Sequence, residues 1–347
     1  MKKSIVERNY GIDLLRIVAM FMVVLLHSLG QGGVLKSVVI GSFQYKVAWL
    51  MEICAYGAVD IFALISGYVA YNDKEKKINY ANYVILWFEV VFYGLLITVC
   101  FNIYNPSLIS IKDYLMAIFP VSNDAYWYFT AYTGLFILMP LLNAGIRNID
   151  NVVCKNMLFL LLVLFSFINT FTDVFKLSKG YSFVWLVILY ILGGIIKKCN
   201  LGSKLKKYQI ILSIVGLFII TYLFKIYGNG KISDLLISYI SPTVLISSIL
   251  FIIYFSRIKF NDLSIKIVKF LAPSAFSVYL INTNRLVFKY IIKDMFIFIT
   301  NQSVIVVILL PICFSIIFVV VAILIDKLRQ LLFKKIQLKY HIEKIFG

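Results

Sequence analysis

Three ionisable residues interrupt an otherwise apolar run near the start of the chain, GIDLLRIVAMFMVVLLHS: Asp13, Arg16 and His27. An ionisable group in hydrocarbon costs about 3 kcal/mol on insertion scales, so such residues mark function by default. At ~100° per residue, the eleven residues from Arg16 to His27 make three helical turns plus about 20°, so both face the same way, about 16 Å apart along the axis. Asp13, three residues before Arg16, lies on the same stripe. A guanidinium grips phosphate, and a neighbouring carboxylate holds it in place. An imidazole titrates near neutrality and accepts a proton from a hydroxyl. This spacing therefore predicts a helix face lining a polar cavity or tunnel, with a cation toward one end and an imidazole toward the other. The bland alternative is an Asp13–Arg16 pair at the headgroups and His27 at the opposite interface. The second histidine, His341, sits in a basic tail and reads as a solvated side chain.

The elements that must position this stripe follow from composition. Of 347 residues, 62% are hydrophobic and 14% charged, and mean hydropathy is +0.93. Soluble domains are closer to half apolar and a quarter charged. That excludes an ordinary soluble enzyme, a disordered chain and a disulfide scaffold, and predicts an all-α polytopic integral membrane bundle. Ten apolar segments are expected, at roughly 13–30, 47–71, 83–104, 126–145, 157–172, 181–196, 208–227, 235–255, 271–292 and 302–325. They are too long and too uniformly apolar for barrel strands. With the N-terminus placed in the cytoplasm, 23 of the 34 Lys and Arg fall inside, ten outside and Arg16 within the first span. The positive-inside rule then puts both termini in the cytoplasm. The first span reads as retained, because it carries Arg16 and no small-residue cleavage site. The net charge of +18 reads as topology signal and attraction to membrane lipids, with no nucleic acid expected as partner. Cys54, Cys100, Cys154, Cys199 and Cys313 are scattered without metal-ligand spacing, so no metal is expected. The organisation reads as one membrane domain over residues 1–325, followed by a basic amphipathic tail over residues 326–347.

The pattern Arg-x10-His in the first helix, preceded by Asp in IDLLR, resembles the acyltransferase 3 family of integral membrane acyltransferases. VDIFALISGYV (59–69) and AYWYFTAYTGLFILMPLLN (125–143) resemble further segments of the family, and LYILGGIIKK (189–198), SPTVLISSILFIIYF (241–255) and LAPSAFSVYLINTNRL (271–286) are similar, in order, to later segments of its branch acting on Gram-positive envelope polysaccharides. The resemblance implies transfer of an acyl group, commonly acetyl, from acyl-CoA to a sugar hydroxyl of an envelope or capsular polysaccharide or its lipid-linked precursor, in the bacterial plasma membrane. It implies His27 as general base, Arg16 holding coenzyme phosphates and Asp13 holding Arg16. Many members carry an arginine pair after the second helix, where this chain has Lys74, Lys76 and Lys77. These still attract phosphate, but as point charges. Many have His in the ninth helix where this chain has Asn282. Asp60, Trp127, Tyr128, Asn282, Asn284 and Arg285 are expected on the acceptor side. The carbonyl oxygen of the acyl group needs hydrogen-bond donors that the sequence does not name. Asp60, Glu52 and Glu89 read equally as cavity lining or as helix–helix hydrogen bonds, and the Ser66–Gly67 pair reads as close packing in preference to a nucleophile. A second copy of the chain is a further candidate partner, since lipid-facing and partner-facing surfaces read alike in one sequence. The alternative function is a transporter or flippase of a lipid-linked glycan, against which stands the lack of an evident inverted repeat.

Overall fold

The computed structural model describes residues 8–74 and 79–346, and among them every regular element is helical. In chain order these are α1 (Tyr10–Leu29), α2 (Val34–Ser37), α3 (Phe43–Ala55), α4 (Ala58–Ala70), α5 (Tyr80–Tyr104), α6 (Ile111–Ile118), α7 (Trp127–Asn148), α8 (Asn151–Leu161) and α9 (Asn169–Thr172). They continue with α10 (Phe183–Lys198), α11 (Lys207–Tyr227), α12 (Pro242–Phe255), α13 (Asp262–Leu271), α14 (Ala275–Asn282), α15 (Arg285–Val287), α16 (Val304–Lys335) and α17 (Leu338–Phe346). The chain is an all-α polytopic membrane bundle.

Eight of the ten expected segments coincide with helical runs long and apolar enough to cross a bilayer, the ninth segment displaced toward the N-terminus as Asp262–Asn282 in place of 271–292. The other two are shorter helices. α10 has 16 residues and α12 has 14, or about 24 and 21 Å at 1.5 Å per residue, against a hydrocarbon core of about 30 Å. Both lie inside the bundle, with Trp185, Leu186, Leu189 and Tyr190 of α10 and Leu245 and Ile252 of α12 fully buried. A helix that meets protein on all sides need not match the thickness of lipid.

α1 is the central post and packs against α3, α4, α12, α13, α14 and α16. Its start is fixed by Asn9, whose Oδ1 accepts from the Ile12 backbone N–H at 3.1 Å, while its Nδ2 donates to the Ser256 carbonyl at 2.8 Å. One side-chain amide thus caps α1 and ties it to the end of α12. α4 and α10 touch backbone to backbone. A Cβ on Gly67 would lie 1.9 Å from the Tyr190 carbonyl oxygen, and one on Gly193 would lie 2.1 Å from that of Leu64. Small residues at a crossing are how membrane helices gain packing contact where lipid removes the hydrophobic drive.

The last span does not end near residue 325. α16 runs on to Lys335, and α17 follows after a short turn. The reason is charge pairing. Asp326 and Arg329 are buried and bonded to each other at 2.6 Å, with the Tyr93 hydroxyl on Asp326 at 2.8 Å and Glu89 3.5 Å from Arg329. Buried charges persist when paired in this way, and the network ties the lower part of α16 to α5. Glu89 therefore belongs to a structural cluster.

Candidate active site

The first-helix stripe is where the spacing puts it, and each end of it lines a cavity. Arg16 lines a cavity of about 740 Å³ of empty space, together with Phe62, Ser66, Leu86, Tyr128, Tyr132, Ala272, Pro273, Ala275 and Phe276. His27 lines a second, smaller one, with Met20, Val23, Leu26, Ala58, Val59 and a set of rings: Phe62, Trp127, Tyr128, Tyr181, Tyr239, Phe276 and Tyr279. Phe62, Tyr128 and Phe276 line both. The two cavities therefore meet at three aromatic side chains, one each from α4, α7 and α14. The Phe62 and Tyr128 rings are 5.8 Å apart edge to face, and Phe276 stacks on Tyr279 at 5.7 Å. Rings at such separations are in contact, so aromatic side chains stand where the two cavities meet.

At the Arg16 end, Asp13 is buried and bridges two arginines. Arg16 Nη1 donates to its Oδ1 at 3.0 Å, and Arg8 Nε to its Oδ2 at 2.5 Å. One carboxylate holding two guanidiniums leaves a net positive cluster at the cavity, with Arg16 donors beyond the one engaged by Asp13 available to an anion. The sequence pattern does not single out Arg8; its place five residues before Asp13 is the local signal for the pairing.

At the other end His27 is half-buried. Its Nδ1 lies 2.5 Å from Asn282 Oδ1, and its ring packs edge-on against Phe288 with centroids 4.7 Å apart. An amide oxygen only accepts, so Nδ1 carries a proton, and in the neutral imidazole Nε2 then keeps its lone pair. That is the tautomer a general base requires at Nε2. Asn282 thus holds the histidine ring through its Oδ1.

The remaining expected residues divide. Trp127 and Tyr128, in the first turn of α7, line the His27 cavity. Asp60 is buried behind the wall, its Oδ1 accepting from Trp185 Nε1 at 3.0 Å, and it lines neither cavity. Asn284 caps α15, with its Nδ2 donating to the Tyr126 hydroxyl at 2.9 Å. Arg285 pairs with Asp113 of α6. Asn284 and Arg285 line a separate pocket of about 350 Å³ on the far side of Tyr126. Asp113 is held below the usual carboxylate range: burial raises it, but hydrogen bonds from the Ser110 hydroxyl and backbone and the charge of Arg285 outweigh that. Lys74 is exposed and lines neither cavity, while Lys76 and Lys77 lie outside the described residues. Tyr181 and Tyr239, from loops distant in sequence, were not singled out at all. Nothing in their local pattern marks them, and only the fold brings their rings 5.1 Å apart beside the histidine cavity.

These features define a polytopic membrane protein built around a histidine-bearing internal cavity that backs onto an arginine-bearing one. The chain belongs to the acyltransferase 3 family: the family's acyltransferase-domain model matches residues 9–326. It is a multi-pass membrane acyltransferase. No curated protein and no solved structure matches it.

Proposed function

We propose that this protein transfers an acetyl group from acetyl-CoA to a sugar hydroxyl of a cell-envelope or capsular polysaccharide, or of its lipid-linked precursor, in a bacterial plasma membrane. The observation that carries the reading is that Arg16 and His27 line two cavities meeting at Phe62, Tyr128 and Phe276. The separation of about 16 Å along α1 is comparable to the reach of a pantetheine arm. The residues suit a coenzyme donor on the Arg16 side. That cavity carries a guanidinium with donors to spare for phosphate and is walled beyond it mainly by apolar and aromatic groups. With both termini cytoplasmic, as the lysine and arginine distribution favours, the donor enters from the cytoplasm and the acceptor from the opposite face. His27 Nε2 takes the proton of the acceptor hydroxyl as that oxygen attacks the thioester carbon. The C–O bond forms, the C–S bond breaks, and the imidazolium returns the proton to the leaving thiolate. The aromatic lining of the His27 cavity suits the apolar face of a sugar ring.

The test is the O-acetyl content of surface glycan in cells lacking the gene, complemented with wild type or His27→Ala at matched expression. Acetylation that returns with wild type alone supports both the activity and the base. Restoration by both proteins removes His27 from the chemistry. Unacetylated glycan whose export or length changes with wild type would replace the transferase reading by transport.

A further inference from the structure

Resting on the acyltransfer reading above, we propose that the hydroxyls of Tyr128 and Tyr279 are the donors that stabilise the negative charge developing on the thioester carbonyl oxygen. Two buried side-chain hydroxyls that make no hydrogen bond of normal length lie in the wall of the same cavity as the histidine: Tyr128 and Tyr279 are 5% and 8% exposed, with Ser66 beside the Tyr128 hydroxyl and Thr283 and the Tyr128 backbone beside that of Tyr279, none close enough to count as a partner. A buried hydroxyl nearly always finds a partner, and one that does not has lost its water without return. Two such groups side by side, with ring centroids 5.9 Å apart, are explained if a ligand atom supplies the missing acceptor.

Their placement fits that role. Tyr279 precedes Asn282 by three residues on α14, so the two share a helix face. That face presents Asn282 to His27 and, a turn away, Tyr279 to the cavity. Tyr128 comes from the other side, in the first turn of α7, and lines both cavities. A thioester drawn from the Arg16 side toward His27 must pass it. The cap residue of α7, Tyr126, makes no side-chain capping bond, so the positive end of that 22-residue helix adds to the same field. The arrangement needs no proton transfer from either tyrosine. As the acceptor oxygen adds to the carbonyl carbon, the electron pair of the C=O bond moves to oxygen, and two O–H groups donate to it. When the C–S bond breaks the pair returns. Both phenols begin and end protonated.

Removing one such donor typically costs about 100-fold in turnover. Inverted membrane vesicles from cells carrying the protein, supplied with radiolabelled acetyl-CoA, report the rate of label entering endogenous glycan. Tyr128→Phe and Tyr279→Phe should each lower the rate at saturating acetyl-CoA by about 100-fold, with the half-saturating concentration changed less than about twofold. The double variant should fall little further, as groups serving one oxygen are not additive. Thermal unfolding of the purified variants supplies the readout that a structural role would move. Deleting an unpaired buried hydroxyl should leave Tm unchanged or raise it. Wild-type rates in both single variants, or rate losses that track a lowered Tm, overturn the proposal while leaving the acetyl-transfer reading intact. Wild-type vesicles that transfer no label overturn that reading, and this one with it.

Discussion

Arg16 carries the sharpest prediction at the scale of single residues. Asp13 holds it through one nitrogen, and the planar fork remains suited to two phosphate oxygens. Arg16→Lys keeps the charge and loses the fork. The half-saturating acyl-CoA concentration should rise about tenfold, the equivalent of one charge-assisted hydrogen bond at ~1.4 kcal/mol, with turnover at saturation preserved. A fall in saturated turnover with unchanged half-saturation would place Arg16 at the reacting atoms and not at the coenzyme. The sequence made this residue legible because a guanidinium in an apolar helix is rare, and because eleven residues is close to three whole turns. Asn282 was legible as a candidate but not as the partner of His27. That contact joins positions 255 apart in the chain, and no local pattern encodes it. The unpaired hydroxyls of Tyr128 and Tyr279 are less visible still. In sequence a tyrosine in a membrane helix is an interfacial belt residue until the fold shows that its oxygen has no partner.

At the scale of elements, the crossing of α4 and α10 is the joint on which both cavities depend, since α4 supplies Phe62 and Ser66 to their walls. Gly67→Ala would drive a methyl to 1.9 Å from the Tyr190 carbonyl, and backbone of a buried helix yields far less readily than a side chain. The expected cost is about 3 kcal/mol, at the upper end for overpacking, seen as a lowered Tm in detergent. Gly145→Ala on α7 is the matched control. Its Cβ meets nothing within 4 Å, so it should leave Tm unchanged or raise it through helix propensity. Equal behaviour of the two variants would mean the helices part easily at Gly67. Hydropathy located these elements well, because a bilayer demands continuous apolar helices. It failed at their ends and in the centre of the bundle. α10 and α12 are shorter than a lipid-facing span because they are walled by protein. α16 outruns its apolar stretch because Asp326 and Arg329 are bonded inside the bundle and not solvated in a tail.

For the molecule as a whole, the decisive feature is that the arginine and histidine cavities meet at a set of rings, Phe62, Tyr128 and Phe276. A transferase that takes its donor from one face of a membrane and its acceptor from the other must bring them together without letting water do the acceptor's work. Water is a competing nucleophile for a thioester, and the same base that activates a sugar hydroxyl activates it. On the reading proposed above, an aromatic wall that parts around a pantetheine arm would meet that requirement, because the Phe62 and Phe276 rings offer water no hydrogen bonds in transit. Phe276 lines both cavities and stacks on Tyr279, so Phe276→Ala should join the two spaces without removing a polar group. Free CoA and glycan-bound acyl groups, counted together in the same vesicles, would be released in near-equal amounts by wild type. In the variant, CoA should exceed glycan-bound acyl several-fold as hydrolysis overtakes transfer, and acyl chains of four to six carbons, supplied as their CoA thioesters, should become usable donors. A ratio that stays at the wild-type value in Phe276→Ala would mean that the rings do not separate the compartments, and that exclusion of water rests on the bound acceptor instead.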